Sequence, residues 1–107
     1  MGGAMPAAVV AGAAAAAAAD YLRMPAADAV LTRAADTALG LAEAFLGTTL
    51  VPRGGDGAAI PAPVMQGVVL LAVHLFEHRD GAVAPPAAVA ALWRPYRRLR
   101  LRGEAKA

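Results

Sequence analysis

The chain contains no cysteine and no serine. Without cysteine there is no disulfide and no thiolate-bound zinc. Without serine, the Ser/His/Asp arrangement of nucleophilic catalysis has no starting residue. Isoleucine and tryptophan occur once each, as Ile60 and Trp93, so a sheet of large β-branched and aromatic residues is poorly supported. No apolar run reaches the roughly 18–20 residues that a membrane-spanning helix needs. The mean hydropathy of +0.52 comes largely from alanine and valine and is no membrane signature. No lysine or arginine precedes Arg23, so the near-pure alanine run from Ala7 to Ala19 lacks the basic start of a secretory signal. Strong helix propensity accounts for that run. The expectation is a small, helical, non-secreted protein.

What is present amounts to one domain: 107 residues, 59% hydrophobic, with 31 alanines making up close to half of the hydrophobic set. The core-forming inventory is modest, and a domain of this length buries only about two-thirds of its unfolded surface. Assembly with copies or partners is therefore expected. The net charge of +2, with a pI near 9.7, hides a split. From Arg94 onward six basic residues face one acid, Glu104, a balance of +5, while the rest carries four arginines against seven acids, a balance of −3. A mildly acidic body with a basic end is built to meet an acidic surface, protein or nucleic acid.

Proline and glycine divide the chain. Pro6 can occupy a first helical turn, and a helix to about Leu22 follows. Asp28 opens a second helix to about Leu46, with Val30, Ala34, Ala38, Leu41 and Phe45 at three-to-four spacing and Leu31, Ala35 and Ala42 beside them. Gly47 is placed to end it. Residues 48–60 read as a loop, with a short strand at Thr48–Val51 and a hairpin around Gly54–Gly57 as an option. Pro61 and Pro63 start a third helix to about Arg79, apolar on most of its girth and so the central one. Pro85 and Pro86 begin a short fourth helix through Trp93, which Pro95 stops. Beyond it, arginine and leucine alternate with the period of an extended segment. The predicted fold class is all-α: a small bundle of about four helices with a short loop or β-hairpin between the second and third, a helical domain over 1–94, and an extended basic tail over 95–107.

The sharpest literal motif is His74-Leu75-Phe76-Glu77-His78, which fits the H-x-x-E-H pattern of inverted zinc peptidases. A catalytic zinc needs a third protein ligand, and only Asp80 and Glu104 follow, one adjacent and one in the tail. Two histidines on an apolar helix, with Glu77 paired to Arg79 or a neighbour, is the better reading, and no metal or cofactor is expected. Gly54-Gly55-Asp56-Gly57 lacks the Lys-Ser/Thr of a phosphate-binding loop. No catalytic residue is identified and the chain is not read as an enzyme.

The remaining signal is the run Trp93, Arg94, Tyr96, Arg97, Arg98, Leu99, Arg100, Leu101 and Arg102. Tryptophan, tyrosine and arginine are the types in which interfaces concentrate their energy. A merely solvated tail has no need of Trp93, Tyr96, Leu99 and Leu101 among its arginines. The nucleic-acid alternative puts the arginines on phosphate and the aromatics on bases; with two aromatics and a body that is not basic, it ranks below protein docking.

The order of segments resembles the small adaptor, or head–tail connector, proteins of tailed bacteriophages and gene transfer agents. The resemblance rests on Asp20-Tyr21-Leu22-Arg23, on Leu41-Ala42-Glu43-Ala44-Phe45-Leu46-Gly47, and on Ile60-Pro61 opening a helix that ends Ala72-Val73-His74-Leu75-Phe76-Glu77-His78-Arg79. It closes with Leu92-Trp93-Arg94-Pro95-Tyr96-Arg97-Arg98, and covers about residues 18–102. The resemblance implies a non-enzymatic structural subunit in the neck of a virion or phage-like particle. Such proteins form rings of about twelve copies beneath the portal and join it to the stopper and tail. Packaged DNA passes through their channel without sequence-specific binding, and no membrane is involved. It also implies that Trp93 to Arg102 dock into the portal, and that His74 and His78 are packing residues.

Overall fold

In the computed structural model, which describes residues 6–25, 28–50 and 60–106, the first three and last nine of these by backbone alone, Pro6 opens helix α1 (Pro6–Leu22). Val10, Ala11, Ala14, Ala15, Ala18 and Ala19 are its buried residues, two rows at four-residue spacing that make one helical face. Five of the six are alanine, so this face gains little from area and much from close backbone approach. The helix ends where Arg23 turns left-handed, at φ 58°. There the Arg23 N–H donates to the Asp20 carbonyl and the Met24 N–H to the Ala19 carbonyl, the paired bonds of a Schellman ending. Glycine is the usual residue at that position; an L side chain there costs about 1–2 kcal/mol.

Helix α2 (Ala29–Leu46) starts on Asp28, whose carboxylate accepts from the Leu31 N–H at 2.9 Å. It ends at Gly47, φ 78°, whose N–H donates to the Glu43 carbonyl. Glu43 also reaches past the ending: its Oε2 accepts from the Leu50 N–H at 2.9 Å and ties down the start of the connection to α3. Helix α3 (Ala62–Glu77) begins behind Pro61, with Pro63 in its first turn. Helix α4 (Ala87–Lys106) follows Pro86 and contains Pro95.

Helices α2 and α3 each pack against all three others, while α1 and α4 flank them and, among the described residues, do not touch each other. The all-α, four-helix architecture is as the sequence indicates, and no strand occurs among the described residues. Centrality is shared between α2 and α3. The proposed hairpin at Gly54–Gly57 lies outside the described residues.

Two expectations are corrected. The stripe on α2 is rotated: Leu39 and Leu46 are buried, whereas Leu41 is an exposed large hydrophobic residue. Alanine-rich helices have broad, weakly marked faces, so the neighbours decide which edge turns in. The second correction is the stop at Pro95: α4 continues through it and ends at Lys106. A proline inside a helix costs about 3 kcal/mol. Here it is flanked by Trp93 and Tyr96, both packed against the core, and the helix is held on both sides of the break. Ala91, whose carbonyl loses its partner, is exposed to water.

Candidate docking segment

Trp93 is the best-seated side chain of the segment picked out from the sequence. It is 3% exposed, and its indole Nε1 donates to the Val64 carbonyl at 3.0 Å. Gly67, one turn further along α3, supplies the notch: a Cβ there would fall 2.2 Å from that Nε1. The Phe45 ring of α2 lies against Trp93, with centroids 5.8 Å apart and planes at 52°. One indole thus joins three helices.

This corrects the reading of Trp93 as a docking residue. Its ring and its one donor are used inside its own chain, so its role is to hold α4 on the body. Tyr96 is half-buried against the same core. Arg97 stacks its guanidinium over Phe45, 5.4 Å from the ring centroid, while remaining exposed. Arg94 is exposed as well. Arg98, Leu99, Arg100, Leu101 and Arg102 continue the helix, and their side chains lie outside the described residues. The segment therefore divides at Arg97. Up to and including it, side chains meet the body; beyond it, the arginines follow on a helical backbone.

The His74–Glu77–His78 motif does other work. His74 is buried, and its Nε2 sits 3.0 Å from the Val83 carbonyl. A carbonyl only accepts, so that nitrogen carries the proton and its lone pair is not offered to a metal. The His78 ring stacks at 4.7 Å centroid distance. Arg79 engages Phe76, not Glu77: its Nε donates to the Phe76 carbonyl and its guanidinium covers that ring at 5.0 Å. Among the described residues, no group of three or more His, Cys, Asp or Glu gathers where a metal could be held.

A cleft of about 240 Å³ lies between the first half of α2 and the end of α3. Ala34, Leu75 and Phe76 form its apolar part, and Arg33, His78 and Arg79 its polar edge. Its lining comes from α2, from the end of α3 and from the turn after it, so no local pattern in the sequence announces it. Comparison with protein-family models, curated proteins and solved structures finds no match to this chain. No helix among the described residues is long and apolar enough to cross a membrane.

Proposed function

We propose that the chain is a structural adaptor subunit that forms a ring and joins the portal of a phage-like particle to its stopper and tail. The observation that carries this reading is the division of α4. Trp93 pins the helix to the body, and the chain's main concentration of positive charge follows on the same helix. An acidic socket on the portal would receive the part that follows Arg97, from Arg98 to Arg102. DNA would pass through the ring without sequence-specific contact, and the site of action would be the neck of the particle.

The test is co-purification with portal protein, read by size-exclusion chromatography with light scattering. The full chain should be monomeric or weakly associated alone and form a ring on the portal. A chain ending at Arg97 should keep α1 to α3 and the anchored first half of α4, and lose portal binding by at least tenfold. Retained binding by the shortened chain, or no association of the full chain, rejects the proposal.

The +5 charge balance from Arg94 onward also supports a second reading, a small nucleic-acid-binding protein. It requires DNA affinity without any protein partner, falling steeply as salt rises.

A further inference from the structure

The cleft between α2 and α3 has the chemistry of a receptor for one side chain. At about 240 Å³ it is smaller than the roughly 300–1,000 Å³ of pockets that take drug-sized ligands, so a single aromatic ring suits it better than a cofactor. Its floor is apolar, and Arg33 and Arg79 stand at its edge with no carboxylate in the lining. Both arginines are exposed, and no ion pair satisfies either among the described residues. Arg79 is held in place by its bond to the Phe76 carbonyl, and Thr37 borders the opening. An occupant therefore needs an aromatic or large aliphatic side chain with a carboxylate next to it.

The chain's own described surface carries such a segment. The large exposed hydrophobics are Val9, Tyr21, Leu41 and Val83. Of these, Tyr21 is preceded directly by an acid, Asp20, which is exposed too. Tyr21 is 65% exposed at the end of α1, with its ring in water. The Arg23 turn that follows fixes the backbone of this helix end.

We infer that the cleft lined by Arg33, Phe76 and Arg79 receives Tyr21 of a second copy of this chain, with Asp20 of that copy meeting the two arginines. The inference rests on the ring reading above and names the faces that would seal neighbours. The contact is between unlike surfaces, so each copy offers one cleft and one plug. Such contacts close into rings or run on as filaments, whereas self-complementary ones stop at two.

Because the chain has no cysteine, the contact can be trapped directly. An Ala17→Cys chain, substituted one turn before Tyr21 and so keeping the plug, mixed with a Thr37→Cys chain and oxidised should give a mixed disulfide at least tenfold faster than Ala17→Cys with Gly12→Cys. All three positions are exposed, so the substitutions leave the core alone. Separately, an Arg33→Glu/Arg79→Glu chain and an Asp20→Arg chain should each fail to form a ring on the portal alone, and a mixture of the two should recover it with the chains alternating at a 1:1 ratio. Equal cross-linking at the Gly12 control, or ring formation on the portal by each charge variant alone at the wild-type level, overturns the inference. A wild-type chain that rings on the portal while these results fail leaves the ring reading standing and removes only the Tyr21 contact. A chain that never associates removes both.

Discussion

Trp93 and Val64 are 29 residues apart in the chain and 3.0 Å apart in space, joined by an indole N–H donating to a helical carbonyl. The bond exists because Gly67 leaves room for the indole ring. It turns α4 from a loosely attached last helix into a fixed mount for whatever follows it.

The first prediction concerns the notch. Gly67→Ala puts a methyl group into the Trp93 ring, 2.2 Å from Nε1, and overpacking of this kind costs about 1–3 kcal/mol. Gly40→Ala meets nothing within 4 Å and should instead stabilise α2 by about 0.5–1 kcal/mol through helix propensity. Thermal unfolding followed by circular dichroism reads both. Shifts of the same sign would mean that the Trp93 seat is not rigid.

A second pair tests the two left-handed helix ends. Arg23 holds φ 58° with a side chain and Gly47 holds φ 78° without one. Arg23→Gly should therefore be neutral or stabilising by up to about 1 kcal/mol, whereas Gly47→Ala should destabilise by about 1 kcal/mol or more. Urea midpoints at constant m-value decide it; a loss of stability in Arg23→Gly would show that the arginine side chain contributes contacts of its own.

Asp28 offers a simpler case. Its carboxylate satisfies the Leu31 N–H at the start of α2, so Asp28→Ala should cost about 1 kcal/mol and Asp28→Asn much less. Equal losses in the two variants would point to charge, not the cap bond, as the source of the effect.

Pro95 gives the fourth prediction. Replacing it by alanine restores an N–H able to bond the Ala91 carbonyl and removes a cost of up to about 3 kcal/mol from α4. Helix content should rise, and amide exchange just beyond position 95 should slow. Unchanged exchange would indicate that the packing of Trp93 and Tyr96 already holds this stretch as firmly as the restored bond could.

Much of the fold is legible in the residue order. Proline and glycine place α1 and α2 almost to the residue, because a missing N–H and a left-handed φ are local demands that few other residues meet. The absence of cysteine and serine removes whole classes of chemistry without any structure. The charge split at Arg94 is likewise a property of the chain itself.

The rest depends on distance in space. Pro95 looks like the stop of the fourth helix when neighbours in sequence are the only information. The helix persists because Trp93 and Tyr96 find partners on α2 and α3, and contacts of that kind have no local signature. For the same reason Trp93 has the composition of an interface residue and the position of a core one. On α2, alanine at so many positions leaves the direction of burial undecided until α1 and α3 press against it. Local backbone preferences settle where helices begin and end; which faces meet, and so which side chains stay free for another protein, is a matter of packing between segments far apart in the chain.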